Sequence, residues 1–302
     1  MRRWICFGVL VTIGALPFVV TATQQQGEMV VEVEQLEDNL YVLRGGGGNS
    51  AVFVTGDGVV VVDTKMAGWG RPILDAIRDL TPKPVTMIIN THTHFDHASG
   101  NVEFPPTVDI VAHENTQRLM GEWNLITGFN FAGENVFKAS NGRGIATRTF
   151  TDKMTLGSGA DQIDLYYFGR GHTSGDAWVV FPSLRTLHIG DMFPSKAIPV
   201  MDANNGGSGV DFPETLKKGY ATLTDIDTII TGHSTQMTRD ELREYAEFMD
   251  SLVAFVREAK QAGRSVDEIA STWEIPARFA GYTATPIQQV TPFLQVIYDE
   301  LP

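Results

Sequence analysis

The N-terminal third of the chain alternates short runs of valine and isoleucine with glycine and acidic turns. The segments MVVEVEQLEDNLYVLRG, NSAVFVTGDGVVVVDTK and VTMIINT read as strands. Within the second, GDGVVVV at Gly56–Val62 predicts a hairpin that leads into a buried strand. The period then changes: GRPILDAIRDLTPKP places Ile73, Leu74, Ile77 and Leu80 at helical spacing and stops at prolines. A strand, a helix and another buried strand in succession predict helices laid on a sheet face, as in a layered α/β domain. Residues 121–150 lose this periodicity, with Gly121, Gly128, Gly133, Gly142 and Gly144 among aromatics, and read as an insertion or irregular cover. Strands resume at DQIDLYYFG, AWVVFPS and TLHIGDMF, and a loop follows, SKAIPVMDANNGGSGVDFPET, whose glycines and asparagines predict mobility. From Thr238 onward the pattern is mainly helical. ELREYAEFMDSLVAFVREAKQAG predicts a long amphipathic helix ending near Gly263, and SVDEIAST starts on a serine cap. With no repeat and no long linker, residues 23–302 read as one domain, of which 238–302 form the helical C-terminal part.

The first residues have a different character. Arg2 and Arg3 precede the apolar run WICFGVLVTIGALPFVV, which gives way to TATQQQ. This is the form of a secretory signal over residues 1–22, cleaved near Ala22, and the run is short for a membrane span of about 20 residues. The expectation is an exported protein, periplasmic or secreted, with no stable membrane insertion after cleavage.

Composition narrows the function classes. At 302 residues and 43% hydrophobic, the chain can bury a sizeable core. Acidic residues number 36 against 23 basic ones, a net charge of -13, and loss of Arg2 and Arg3 makes it -15. Nucleic acid is therefore a poor partner, since phosphate binding needs clustered cations. The single cysteine, Cys6, lies in the signal, so the mature chain has neither a disulfide nor a thiolate metal ligand.

Histidine carries the chemistry instead. THTHFDHASG supplies His92, His94, Asp96 and His97 directly after the apolar run VTMIIN. A strand feeding a short loop presents such groups at a sheet edge. Imidazole nitrogens with a carboxylate oxygen suit zinc, and burying them without a partner is costly.

HTHFDH resembles the HxHxDH signature of the metallo-β-lactamase superfamily, and the family's further motifs follow in order. GRGHTSGDAW offers His172, HIGDMF offers Asp191 and TGHS offers His233, so the resemblance runs from roughly Val30 to Met237. It implies a four-layer αβ/βα sandwich of two mixed β-sheets with flanking helices and a metal site at one sheet edge. Carried over residue by residue, it implies that His92, His94 and His172 hold one metal, that Asp96, His97 and His233 hold another, and that Asp191 bridges them. Asp63, in VVVVDTK, matches a commonly acidic position and is expected to support a ligand. His113 and His188 match no ligand position and are expected to have packing or surface roles.

The resemblance also implies an activity. Two zinc ions, with iron or manganese as alternatives, would share a water and yield a bridging hydroxide, which attacks a carbonyl while Asp96 orients the nucleophile. No serine or cysteine nucleophile is needed. The expected reaction is hydrolysis of a cyclic amide or ester in a small molecule, a β-lactam or a lactone. Export favours the lactam. Asp191 in its GD motif is typical of the lactonase, thioesterase and phosphodiesterase branches. Two alternatives stand beside this: a thioester hydrolase of glyoxalase II type, and a persulfide dioxygenase-like oxidoreductase using one iron. The loaded centre would be locally cationic and able to draw a carboxylate. Phe193, Ile198, Met201 and the loop to Gly209 are candidates to cover it, with Trp123, Phe129 and Phe131 as an opposite apolar wall.

Overall fold

The computed structural model describes residues 29–129, 134–283 and 287–302. The signal read at 1–22, and Phe131, lie outside them.

A first sheet has the spatial order β1 (Glu32–Glu37), β2 (Leu40–Arg44), β3 (Ser50–Val54), β4 (Val59–Val62), β5 (Val85–Ile89), β6 (Asp109–His113) and β7 (Arg148–Phe150). Pairing is antiparallel from β1 to β4 and parallel from β4 to β7. The helices along this half are α1 (Gly70–Leu80), α2 (Phe95–Ala98), α3 (Glu114–Glu122) and α4 (Val136–Ala139). The second sheet contains β8 (Lys153–Leu156), β9 (Ile163–Tyr166), β10 (Trp178–Phe181), β11 (Thr186–Gly190), β12 (Thr228–Thr231) and β13 (Met237–Thr238), in spatial order from β13 back to β8. Four helices accompany it: α5 (Phe212–Thr222), α6 (Arg239–Gln261), α7 (Val266–Thr272) and α8 (Ile287–Glu300). Among the described residues, no helix is long and apolar enough to cross a membrane.

The layering follows from strands that are apolar on both faces. All four valines of β4 are buried. Val59 and Val61 pack with Ile73 and Ile77 of α1, while Val60 and Val62 turn inward to meet Val179 and Phe181 of β10. On β10 the alternate residues, Trp178 and Val180, face the other way, into the core shared with α5 and α6. Successive side chains on a strand point to opposite faces, so one run of apolar residues joins two cores. Phe53 and Phe181 clasp the sheets together, with ring centroids 5.0 Å apart. The result is helix, sheet, sheet, helix, the expected sandwich of two mixed sheets with flanking helices.

The C-terminal helices start close to where the sequence places them, α7 on its serine cap. Thr238 with Glu241, and Ser265 with Glu268, form capping boxes at the starts of α6 and α7. The described residues of 121–150 are largely irregular, but they end in β7, which extends the first sheet. The expectation of a mobile loop after β11 is overturned. Met201 and Asp202 are fully buried, and Asn205 and Ser208 nearly so. The Asp202 amide donates to the His172 carbonyl (2.9 Å), the Ser208 amide to Gly171 (2.9 Å), and the Ser174 amide to Asn205 (3.0 Å). Polar residues here satisfy buried backbone groups, a use that composition does not distinguish from solvation.

Strand direction positions the site. β2, β4 and β5 run one way in the first sheet, and β9, β11 and β12 share a direction in the second. Their carboxyl ends meet along a single edge, joined by hydrogen bonds from the Asn49 amide to Gly232 (2.7 Å) and from the Ala177 amide to Thr91 (2.7 Å).

One packing contact tests this layering. A methyl group at Gly219 of α5 would lie 2.3 Å from the indole of Trp178, which is fully buried. Helix propensity alone makes Gly219→Ala stabilising by about 1 kcal/mol, whereas overpacking costs about 1–3 kcal/mol. With Trp178 held on both faces, the second effect is expected to win. Urea unfolding should show a lower midpoint at unchanged slope, and a raised midpoint would contradict the packing described.

Candidate metal centre

The residues singled out in the sequence fall on the shared edge. His92, His94, Asp96 and His97 follow β5, His172 follows β9, Asp191 follows β11 and His233 follows β12. Among the described residues they form two groups, His92, His94, His172 and Asp191 in one and Asp96, His97 and His233 in another, and a third group of Asp63, His92 and His97 overlaps both. His97 Nε2 lies 3.2 Å from His233 Nε2 and 3.4 Å from Asp191 Oδ1, and His233 Nε2 lies 3.2 Å from Asp191 Oδ2 and 3.4 Å from Asp96 Oδ2. On the other side, His172 Nε2 is 2.9 Å from His94 Nδ1 and 3.7 Å from Asp191 Oδ2. Donors of a tetrahedral ion bound at about 2.0–2.1 Å stand about 3.3 Å apart, so these spacings suit a metal.

Proton accounting gives the orientation of the donors. The Thr91 hydroxyl donates its one proton to Asp63 (2.6 Å), so at 3.0 Å it accepts from His92 Nδ1. His94 Nε2 donates to Asp202 (2.7 Å), His97 Nδ1 to Asp63 (2.8 Å) and His172 Nδ1 to the Val200 carbonyl (2.7 Å). Each of these imidazoles spends its N–H outward and turns a lone pair inward. His92 Nε2 and Asp191 Oδ1 are buried with no hydrogen-bond partner among the described residues. Orphaned acceptors converging on one small volume fit a cation and little else.

Electrostatics divides the cluster. Burial, reinforced by neighbouring histidines, holds His92 far below the ordinary imidazole range and brings His172 down to about 4. Burial opposes charge on His97 too, but the carboxylates of Asp191, Asp96 and Asp63 override it and hold that imidazole well above its usual value. Asp191 also raises His233. Burial would raise Asp191 itself, yet His233 and His97 hold its carboxyl well below the usual range. Positive charge is thus favoured between Asp191, His97 and His233. That side is also the open one, since the side chains of Asp96 and His233 are 19% and 35% exposed.

Asp63 lies behind His97 with both oxygens engaged, taking the Thr91 amide (2.8 Å) as well as the bonds above. Its backbone and that of Lys65 are left-handed, with φ of 59° and 66°, a strained state for such residues. The turn is stitched by Lys65, whose buried Nζ donates to the carbonyls of Leu43 (2.8 Å) and Gly48 (2.7 Å). Burial lowers that ammonium to about 7. The Gly48 loop lies so close that a Cβ there would sit 2.1 Å from the His97 ring.

His113 and His188 stay outside the cluster. His113 stacks on Tyr167 at 4.1 Å, and His188 is buried with Nε2 bonded to the Asn49 carbonyl. Of the candidate wall residues, Ile198 and Phe129 line a cleft of about 370 Å³ over the centre. Phe193 and Met201 are instead fully buried core, with Phe193 stacked on Tyr245 at 4.3 Å, and Trp123 lines a small hollow beside His94 and Phe95.

Asp202, Lys65 and the Gly48 approach were missing from the sequence reading. Asp202 is the most consequential. It is fully buried and accepts from His94, Asn205 Nδ2 (2.6 Å) and the Thr127 amide (2.9 Å). Burial would raise its carboxyl, but the bond from His94 and these donors hold it at about 2. No motif spacing links residue 202 to residue 94; the one available signal is an acidic residue in a loop that follows a metal motif.

A two-sheet sandwich with a histidine and aspartate cluster at the carboxyl ends of its strands defines a class of metal-dependent hydrolases. The sequence profile of the metallo-β-lactamase superfamily matches residues 43–233, more than half of the chain, and the chain belongs to that family. It is 28% identical to the 2,4-dinitroanisole O-demethylase subunit alpha of Nocardioides sp. (strain JS1661) over 72% of this chain and 62% of that one, so it spans less than two thirds of that relative. It is 25% identical to the metallo-β-lactamase type 2 of Elizabethkingia meningoseptica over 72% of this chain and 87% of the other. Among solved structures, the metallo-β-lactamase from Pontibacter korlensis superimposes with a TM-score of 0.59 at 18% identity, over 73% of this chain and 99% of that one, a likeness of fold.

Removing the Asp202 carboxylate frees His94 Nε2 and the Thr127 amide together. Asp202→Ala is expected to weaken metal affinity roughly 10–100-fold, read by competition with a chromophoric chelator. Wild-type affinity in a folded variant would dismiss this role.

Proposed function

We propose that this chain is an exported dinuclear zinc hydrolase that opens a cyclic amide or ester, in which residues 1–22 are the signal and 23–302 a single domain. His92, His94 and His172 are assigned to one ion, Asp96, His97 and His233 to the other, and Asp191 to both. The observation that carries this reading is the convergence of inward lone pairs around two orphaned buried acceptors, His92 Nε2 and Asp191 Oδ1. Zinc is favoured over magnesium or calcium by the imidazole majority.

Bound divalent zinc lowers the pKa of water from about 16 towards 7 and polarises a carbonyl oxygen, which supplies hydroxide and an activated electrophile at neutral pH. The protein's own groups do the rest. Asp96, at the open side of the cluster, is within 3.4 Å of His233 Nε2 and is placed to hold the proton of the attacking water and then pass it to the leaving atom. Asp63 and Asp202 hold His97 and His94 in the tautomer that presents a lone pair to the centre. The apolar side chains lining the cleft, Phe95, Ile126 and Ile198 among them, would lower the local polarity once a substrate is seated, which strengthens charge interactions at the reacting carbonyl.

The decisive experiment is a panel of β-lactams, γ-lactones, thioesters and 2,4-dinitroanisole, assayed with zinc-loaded protein and after chelation. The last substrate is included because of the demethylase relative. Turnover of a lactam or lactone that disappears on chelation and returns with zinc is the expected result. Asp96→Asn should lower kcat by roughly 100-fold or more, with metal content measured alongside to separate lost acid-base function from lost ligation. Bound iron at one per chain with oxygen uptake would replace the hydrolase with an oxidoreductase.

A further inference from the structure

The cleft over the centre has an uneven chemical character. Beyond the cluster itself, its described lining is apolar apart from Ser195, with Phe95, Ile126, Phe129, Pro194, Ile198 and Val200 among its members. Among the described residues, neither lysine nor arginine lines it. The cation nearest in sequence, Lys196, faces away, its Nζ paired with Glu241 at 2.9 Å and lying 5.8 Å from the centre of the Tyr282 ring. A substrate carboxylate would therefore find no lysine or arginine on the described walls, and would meet positive charge only at the centre itself after crossing an apolar surface.

A second cavity of about 330 Å³ adjoins the first. It is lined by Ala270 of α7, Ile287 and Val290 of α8, and Trp273 and Ile275 between them, with Glu274 and Thr283 as its polar members. Ile198 lines both spaces and so stands at their junction. Each has the size of a small-ligand pocket, about 300–1,000 Å³. The exposed apolar side chains of Phe129 and Ile287 mark the outer faces of the two spaces.

The geometry points to a substrate with an uncharged apolar tail: its reacting carbonyl lies over the centre, and the tail passes Ile198 into the cavity between α7 and α8. This inference rests on the hydrolase reading and specifies its substrate class. A free alkyl or aryl chain matches the apolar walls, and the Glu274 carboxylate in the second cavity counts further against an anionic tail. Each methylene moved from water to such a wall raises transition-state binding by roughly 2- to 4-fold until the cavity is full.

The test is a homologous series of γ-lactones on the zinc-loaded full chain, with tails from methyl (γ-valerolactone) to octyl (γ-dodecalactone). The expected result is kcat/KM rising roughly 2- to 4-fold per carbon, with the gain lost when the tail ends in a carboxylate. A flat series overturns the tail while leaving the hydrolase intact. Should no lactone, lactam or thioester turn over, the hydrolase reading falls, and the tail is judged by binding alone. Uncharged n-alkanols from butanol to decanol are then titrated against tryptophan emission. Affinity should climb with chain length, and the signal should vanish in Trp273→Phe; affinity independent of length, or an unchanged signal in that variant, overturns the proposal. Ala270→Trp, which fills the cavity, should lower the octyl-to-methyl ratio of kcat/KM by roughly 10-fold or more, and a folded variant with the wild-type ratio overturns it as well.

Discussion

The structure depends on one constraint: several imidazoles must hold lone pairs towards the same small volume without a proton between them. Left to itself, such a cluster would rotate its rings and share protons. Four outward hydrogen bonds prevent this, from His92 to Thr91, His94 to Asp202, His97 to Asp63 and His172 to the Val200 carbonyl. These acceptors lie on different segments, so the strained turn at Asp63, the buried Lys65 and the packed loop at 195–211 all serve ring orientation. The same arrangement explains why polar groups here are buried at all. Each has a partner on its outer side, and the inner side is reserved for a cation.

Much of this was legible in the sequence because it is local. The apolar runs of β4 and β5, the helical spacing of α1 and the serine cap of α7 each lie within one short window. The donor residues were legible for a related reason: a strand followed at once by HTHFDH, or by GD or GH, writes strand end and ligand side by side. The supporting shell was not. Asp202 meets His94 across more than a hundred residues, and Gly48 meets His97 only because two loops cross at the sheet edge. Composition actively misled in the loop after β11. Asn205, Ser208 and the glycines around them resemble a solvated linker, but their polar groups are spent on buried partners. Phe193 and Met201 misled in the opposite sense, because an apolar residue near a metal motif can face the core as readily as the cleft.

The charge balance also changes meaning with location. The acidic excess of the chain is a surface property, whereas the carboxylates near the centre are individually matched. Asp191 works against His97 and His233, and Asp202 against His94 and backbone amides. The cleft beside them is apolar. A molecule approaching the site passes a negative exterior, then a hydrophobic wall, and meets positive charge only at the end. That order favours neutral compounds until the centre itself is reached.

The donors divide between the layers, four on one and three on the other. His92, His94, Asp96 and His97 hang from the first sheet, and His172, Asp191 and His233 from the second. An ion seated among them belongs to neither half. Its affinity and the cohesion of the two sheets are then one free energy seen from two directions, and the centre acts as a rivet as well as a reagent. By that linkage, variation in the inter-sheet core around Phe53 and Phe181, far from any donor, would tune metal retention in this chain.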